Sequence, residues 1–240
     1  MTGPRRVLLT RPQADSERLA CDLRANGFEV TIAPLSAPQP YNPGPEPAGQ
    51  AALIVTSANA LTDAVRPWLA GRLVFAVGER TADVARAAGA GQVVVGKQDA
   101  AALAQAIRDQ LQPDGPPLVH LCGASARRAP FAALGSEGYR IEHRVVYHMR
   151  EVPCLPEAVS AFFNDSRAGA ICLFSPDGAR LFARLTRPLW PRASGKFTLY
   201  ALSVDVARAS GDLPWRAVVW PPQARWPALR RLLEGGHTWC

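Results

Sequence analysis

Short runs of apolar residues alternate with amphipathic segments from one end of the sequence to the other. The runs have the length of single strands, and the segments between them carry leucines at helical spacing, as at Leu19 and Leu23. Strands that alternate with helices through short loops form parallel sheets covered on both faces. The pattern therefore predicts an α/β fold. The expected strands are 6–10, 28–33, 52–56, 73–77, 92–95, 118–121, 140–148, 170–174, 197–202 and 216–220.

The five letters DVARA occur twice, inside FAVGERTADVARAAG (75–89) and FTLYALSVDVARASG (197–211). An alignment without gaps pairs Thr81 with Ser203. Each segment is typical of an apolar strand, a turn that carries a hydroxyl residue, a short helix and a glycine suited to a helix end. A second pair of segments lies upstream and in the same order, which indicates an internal duplication.

In that second pair, LIVTSANAL (53–61) resembles ICLFSPDGARL (171–181). Both contain an apolar strand followed by a serine that opens a helix, and these serines are Ser57 and Ser175. Two matched segments in one order predict two similar domains.

The strands divide into two sheets only if the chain leaves one domain and returns to it. The first two strands cannot form a stable covered sheet alone, and the last three are again too few. Joined together, they complete one sheet of five, and the five strands between them complete another. The segment YRIEHRVVYHM is extended over about 33 Å, long enough to end one sheet and bridge outward. The prediction is two doubly wound, parallel, five-stranded (flavodoxin-like) domains, residues 1–35 plus 150–240 and residues 38–144, joined by connector strands near 34–38 and 144–150.

The net charge of +7 favours an acidic partner, either a nucleic acid or a polyanionic small molecule. The arginines are scattered, without a basic run, an RNP-like aromatic motif or a helix-turn-helix, so nucleic-acid binding is not expected. The sequence has no apolar stretch of the roughly 18 residues that a membrane helix needs, and no secretory signal, so we expect a cytoplasmic protein. Neither the five cysteines nor the four histidines have metal-site spacing, so no metal or cofactor is expected.

Hydroxyl residues follow four of the predicted strands: Ser57, Thr81, Ser175 and Ser203. In doubly wound sheets, ligands bind outside the carboxyl ends of the strands, where helix N-termini offer N–H groups to anions. Each hydroxyl is equally typical of an N-cap worth about 1 kcal/mol. A cleft between the two domains is the natural place for a ligand.

Two further residue types are candidates for chemistry. Tyr147 lies in the expected connector, and a phenol stays protonated at neutral pH, so it can donate a proton; a packed aromatic is the alternative. Arg127 and Arg128 follow a strand in CGASARR and could hold a carboxylate or simply face solvent.

These segments together resemble the uroporphyrinogen-III synthase family. The resemblance runs through LLTRP, LRANGFEVTIAPL, LIVTSANAL, VFAVGERTADVARAAG, LVHLCGASARR, GYRIEHRVVYHM and CLFSPDGARLF. It implies two similar α/β domains, no metal or cofactor, and hydroxymethylbilane as substrate, a linear tetrapyrrole with eight carboxylates. The implied reaction loses the terminal hydroxyl to give an azafulvene, forms a spiro intermediate and closes the ring with ring D inverted, in haem, sirohaem and cobalamin biosynthesis. We expect a monomer; whether porphobilinogen deaminase hands over the unstable bilane by transient contact is left open.

By position, the resemblance assigns roles to individual residues. Tyr147 matches the tyrosine that aids hydroxyl loss, and Thr81 matches the threonine of a glycine-led turn after Gly78. In the second turn, Tyr200 stands where the family has glycine and Ser203 where it has threonine, which puts contacts on that side in doubt. The remaining matches near the expected cleft are Ser57, Ser175, Arg127 and, from the TRP motif, Arg11.

Two other functions fit parts of the pattern. A non-catalytic two-lobed protein that closes on an anionic ligand would share the fold and charge. A synthase paralogue that has lost activity would share the motifs, and the departure at YALS favours it.

Overall fold

The computed structural model describes residues 5–96, 100–126 and 131–235. The chain divides into two compact units: residues up to 37 together with those from 150 onward, and residues 38–149. Both units are mixed α/β with a sheet dominated by parallel strands.

The structure contains all ten predicted strands and one more. In chain order the strands are β1 (Arg6–Leu9), β2 (Glu29–Ile32), β3 (Ser36–Pro40), β4 (Ala52–Val55), β5 (Leu73–Ala76), β6 (Gln92–Val95), β7 (Leu118–Gly123), β8 (Ile141–Glu151), β9 (Gly169–Leu173), β10 (Phe197–Ala201) and β11 (Ala217–Val219).

The α-helices of the described residues lie between these strands, except the last, which follows β11. They are α1 (Gln13–Ala25), α2 (Arg66–Leu69), α3 (Glu79–Ala87), α4 (Ala100–Gln110), α5 (Ala132–Ser136), α6 (Glu157–Asn164), α7 (Pro176–Thr186), α8 (Val204–Ala209) and α9 (Trp226–Glu234).

The first unit has a five-stranded parallel sheet in the order β11-β10-β9-β1-β2. Its three central strands, β10, β9 and β1, are buried on both faces. On one face Leu8, Ile171 and Leu199 pack under α6, α7 and α8, and on the other Val7 and Cys172 pack under α1 and α9. This double cover explains why the strand sequences are continuous apolar runs.

The second unit has six strands in the order β3-β8-β7-β4-β5-β6, so the expectation of a five-stranded sheet is wrong by one strand here. The five strands from β4 to β8 are parallel to one another. Val55 and Leu121 pack under α2 and α3, and Ile54 and Leu118 pack under α4 and α5.

The extra strand, β3, overlaps the connector strand expected near 34–38, which the sequence prediction assigns to neither sheet. Pro38 and Pro40 argue against a place within a sheet because proline cannot donate to the ladder. β3 is the edge strand of its sheet, next to β8, and an edge strand tolerates proline where a central strand does not.

Strand pairing aligns the two sheets independently of the sequence letters. Leu53 of β4 pairs with Val74 of β5, and Ile171 of β9 pairs with Leu199 of β10. Leu53 and Ile171 stand equally far before Ser57 and Ser175, so Val74 is equivalent to Leu199. The same correspondence continues into β6 and β11.

This register corrects the ungapped repeat alignment by three residues. Gly78 N-caps α3 and Ser203 N-caps α8, so these two positions are equivalent, and Thr81 lies inside the first turn of α3. The two DVARA segments therefore occupy different turns of their helices. A shift of three residues is nearly one helical turn, which preserves the amphipathic pattern and makes the letters match.

Candidate functional site

Tyr147 is placed by an irregularity in β8. Pairing between β7 and β8 passes from Cys122 with Val145 to Gly123 with Tyr147, so Val146 is an extra residue, as in a β-bulge. Bulges re-aim the side chains that follow them. Because of the bulge, Val146 packs in the core under α2 and α3, and the Tyr147 ring lies against the same cluster.

The Tyr147 ring lies directly on Gly123. A Cβ atom built on Gly123 would lie 2.7 Å from Tyr147 Cζ and 3.0 Å from the phenolic oxygen. Real Cβ contacts are essentially never this short, so the position of the phenol requires glycine at 123.

A pocket of about 240 Å³ opens beside Tyr147 at the carboxyl end of the sheet of the second unit. Its wall combines prolines from β3 with the segment that follows β4. The lining residues are Pro38, Pro40, Ala58, Asn59, Leu61, Thr62, Asp63 and Tyr147.

The segment after β4 is shaped by Ser57. Its Oγ accepts a hydrogen bond from the Asn59 N–H at 3.3 Å and caps a short 3₁₀ turn. Asn59, Thr62 and Asp63 then reach the pocket, although sequence reasoning had singled out Ser57 alone. The sequence feature that could have indicated these three residues is the group of polar side chains in SANALTD (57–63), just after the buried strand β4.

Two polar groups of this wall are notable. Thr62 Oγ1 is buried without a hydrogen-bond partner among the described residues. The Asp63 carboxylate is exposed and lies 3.1 Å from Arg66 Nε. The pocket therefore presents a phenol, a hydroxyl and a carboxylate between apolar surfaces.

The other predicted site residues of this unit do not line the pocket or lie outside the described residues. Thr81 is buried, at 5% exposure, in α3. Gly78 opens that helix without a side-chain cap, so the first N–H groups of α3 depend on other acceptors. Arg127 and Arg128 lie outside the described residues.

In the first unit, three predicted residues follow neighbouring strands at the carboxyl end of the sheet. They are Arg11 after β1, Ser175 after β9 and Ser203 after β10. Both serines are N-caps. Ser175 Oγ accepts from the Gly178 N–H at 3.1 Å, and Ser203 Oγ accepts from the Val206 N–H at 3.4 Å.

Arg11 is held in place by its neighbours. Its guanidinium donates to the Asp15 carboxylate at 2.7 Å and lies 5.0 Å from the centre of the Phe174 ring. Burial lowers the pKa of the Arg11 guanidinium from its ordinary value. Arg11 is a fixed positive charge on the loop after β1, next to the strand that leads to Ser175.

Tyr200 does not lie in a turn. It is 2% exposed in β10, and burial raises its pKa to about 12. By strand register it is equivalent to Phe75, another buried aromatic, and not to Gly78. The expectation that Tyr200 replaces a turn glycine and weakens contacts on that side is therefore wrong, because it depended on an alignment shifted by three residues.

A capping role predicts a measurable loss. Replacing Ser175 by alanine is expected to lower the free energy of unfolding by about 1 kcal/mol, because the Gly178 N–H loses its acceptor. Urea denaturation measures this change, and Ser175→Asp should retain the cap. Ser160→Ala, inside α6, is the matched control and should not destabilise. Equal stability of wild type and Ser175→Ala would contradict the capping role.

Three residues that sequence reasoning did not group meet in the sheet of the second unit. His120, Cys122 and His143 bring their ligand atoms within 4.8 Å of one another, a donor set that could hold a metal ion. The spacing of two ligands on β7 and one on β8 gives no recognisable sequence motif.

In the part of the chain that is described, no helix has the length and apolarity to cross a bilayer.

The fold and site define a two-unit α/β protein with a ligand pocket at the carboxyl end of a parallel sheet. The family model described as uroporphyrinogen-III synthase HemD matches residues 4–230. The chain therefore belongs to the uroporphyrinogen-III synthase family, lyases of tetrapyrrole biosynthesis that act on hydroxymethylbilane. The resemblance stated from the sequence is confirmed.

Solved structures agree on the fold. Uroporphyrinogen-III synthetase from Helicobacter pylori is 14% identical, with a TM-score of 0.62, and the match covers 97% of this chain and 98% of that chain. A mutant uroporphyrinogen III synthase from Thermus thermophilus is 16% identical, with a TM-score of 0.50, and the match covers 96% of both chains. No curated protein matches the chain.

Proposed function

We propose that this chain converts hydroxymethylbilane to uroporphyrinogen III and that Tyr147 assists the departure of the terminal hydroxyl. The observation that carries the proposal is the phenol of Tyr147 in the wall of a pocket at the strand ends. A positioned phenol can donate a proton to the leaving hydroxyl, which then departs as water, and loss of the pyrrole N–H proton to the resulting phenolate or to solvent leaves the azafulvene.

The pocket suits one pyrrole ring rather than the whole substrate. Its volume, about 240 Å³, is below the roughly 300–1,000 Å³ typical of sites that enclose larger ligands. The prolines and Leu61 would pack on the faces of the ring. Thr62 Oγ1 and the Asp63 carboxylate are acceptors for a pyrrole N–H, and the buried hydroxyl of Thr62 would then gain a partner.

The substrate carboxylates require positive potential. The chain has a net charge of +7, and the helices after β5 and β9 begin at the carboxyl ends of their sheets. Gly78 leaves the N–H groups of α3 without a side-chain cap, and Arg11 provides a fixed charge in the first unit. We assign carboxylate binding to these groups, to Ser57, Thr81, Ser175 and Ser203 near the strand ends, and to Arg127.

To close the ring correctly, the enzyme must hold the flexible linear tetrapyrrole in one conformation. Without an enzyme, the azafulvene closes to the symmetric type I isomer. Formation of the spiro intermediate requires the far pyrrole to attack through its substituted carbon, so the enzyme must hold both ends in one arrangement. Fixing two reacting groups in the bound state supplies much of the rate advantage of such reactions.

The test couples the full-length protein to porphobilinogen and porphobilinogen deaminase and resolves the oxidised products by isomer. Type III product in excess of a control without this protein is the expected result. Only type I product would reject the proposal and favour an inactive paralogue or a binding protein. Binding of the bilane without type III product would specifically identify the latter.

The finer organisation is proposed with the function. We propose that the two compact units are the two domains expected from the sequence, with the chain passing between them within β3 and β8. We propose a cytoplasmic monomer, which light scattering of the purified protein tests for its oligomeric state. Direct transfer of the bilane from porphobilinogen deaminase remains a prediction.

A further inference from the structure

His120, Cys122 and His143 form a compact polar cluster in a sheet that is otherwise mainly apolar. His120 is fully buried, Cys122 is 3% exposed, and His143 is partly exposed. The Nδ1 atoms of the two histidines lie 3.0 Å apart. All three ligand atoms lie within 4.8 Å of one another.

The parallel register explains why the cluster forms. His120 of β7 is the direct partner of His143 of β8, so both side chains project from the same face. Cys122 is two residues beyond His120 on the same strand and shares that face. Thr56, just after β4, contacts the cluster from the other side, with Oγ1 3.2 Å from His120 Nε2.

The fold does not require polar side chains here. The register makes Leu9 of β1 equivalent to His120, Ile32 of β2 equivalent to His143, and Phe174 after β9 equivalent to Thr56. These three residues of the first unit belong to an apolar core. The duplication therefore shows that apolar residues satisfy the same backbone at these three positions, and that the histidine pair is particular to the second unit.

We propose that His120, Cys122 and His143 bind a borderline-soft cation of the Zn²⁺ class through two imidazole nitrogens and one thiolate. In this site the His120 Nε2–H donates to Thr56 Oγ1, which leaves Nδ1 as the ligand atom and fixes the ring. The Cys122 thiol loses its proton to solvent on binding. Two nitrogens and one thiolate suit Zn²⁺ better than Mg²⁺ or Ca²⁺, which prefer oxygen ligands.

The required movements are small. Two nitrogens about 2.0–2.1 Å from a tetrahedral Zn²⁺ lie about 3.3 Å apart, close to the observed 3.0 Å. The sulfur, about 2.3 Å from the ion, needs to approach by about 1 Å at most, which a side-chain rotation supplies. The partly exposed His143 provides the side from which an ion and a fourth ligand, water, can enter.

The site would join β7 to β8 just before Gly123 and Tyr147. Metal binding is measured on the protein without substrate. Its outcome therefore does not depend on whether the proposed reaction takes place. The probes are Co²⁺ and Zn²⁺, added to a full-length Cys21→Ser/Cys154→Ser/Cys240→Ser background. This background lacks the exposed thiols and the C-terminal thiol and retains Cys122 and the fully buried Cys172.

We expect one Co²⁺ per chain, with a thiolate-to-cobalt charge-transfer band that Zn²⁺ abolishes, and a higher Tm with Zn²⁺. His143→Ile, which copies the first unit, and Cys122→Ala should weaken Zn²⁺ binding at least about 100-fold, since losing an outer-shell partner already costs about 10–100-fold. His148→Ala, on the same strand, is the matched control and should bind as the parent does.

Circular dichroism establishes whether each variant is folded. If His143→Ile does not fold, the Cys122→Ala variant alone tests the proposal. A folded Cys122→Ala variant that binds Zn²⁺ as tightly as the parent would overturn the proposal. So would Co²⁺ binding without the sulfur band, or no binding at micromolar concentrations. The cluster would then be a hydrogen-bonded histidine pair with a structural role.

Discussion

The Tyr147→Phe variant is expected to form uroporphyrinogen III at least several-fold more slowly than wild type, and more slowly still, by about 100-fold or more, if the phenol acts as a general acid. Phenylalanine retains the ring that lies on Gly123 and packs in the core, so only the hydroxyl is lost. The measurement is kcat for type III product in the deaminase-coupled assay. The uncatalysed route then competes better, so the proportion of type I product should rise.

Tyr41→Phe is the matched control, because Tyr41 lies in the same unit and is 55% exposed. It should leave kcat unchanged. Both variants should unfold at the urea concentration of wild type, since each substitution removes one hydroxyl and retains the aromatic ring. A wild-type rate for Tyr147→Phe would remove Tyr147 from the mechanism while leaving the family assignment untouched.

The Gly123→Ala variant is expected to lose activity to a similar or greater extent, although its residue never contacts the reacting atoms. The added methyl would lie 2.7 Å from Tyr147 Cζ, so the ring must move out of its place in the pocket wall. A displacement of the catalytic group by about 1 Å can cost about 100-fold in rate. The rate in the coupled assay measures the loss. Gly135→Ala is the control, because nothing lies within 4 Å of a Cβ built there.

The double variant tests whether Gly123 acts through Tyr147. If it does, Gly123→Ala/Tyr147→Phe should be no slower than the slower single variant, because the same hydroxyl is lost or misplaced in each case. Fully multiplicative losses would show that Gly123 has an independent role. A wild-type rate for Gly123→Ala would mean that the pocket wall adapts and that the position of the ring is not critical.

The duplicated units have diverged in chemistry more than in backbone. The pocket with Tyr147 and the cluster of His120, Cys122 and His143 both lie in the second unit. The corresponding sheet of the first unit contains apolar residues at the positions of the two histidines and two capped helices at its strand ends. The candidate for proton transfer thus lies in the second unit, whereas candidates for anion binding lie in both units.

Much of the fold and family could be predicted from the sequence because the evidence is local. A buried parallel strand is a short apolar run whatever its partners, so all ten expected strands are present. The serines at 57, 175 and 203 are N-caps, as a hydroxyl before a helix predicts. The order of short motifs along the chain was sufficient to identify the family.

Register, edges and long-range contacts were decided only by the tertiary structure. The repeat was misaligned by three residues because a helix of about 3.6 residues per turn tolerates that shift, whereas strand hydrogen bonds do not. β3 was expected as a connector strand and not as a member of the sheet, because its prolines are acceptable only at a sheet edge, which no local pattern reveals. The contact of Tyr147 with Gly123 and the meeting of His120 with His143 depend on which strands pair and where the bulge falls. Residues far apart in the chain become neighbours only through that pairing, so their chemistry could not be predicted from their spacing.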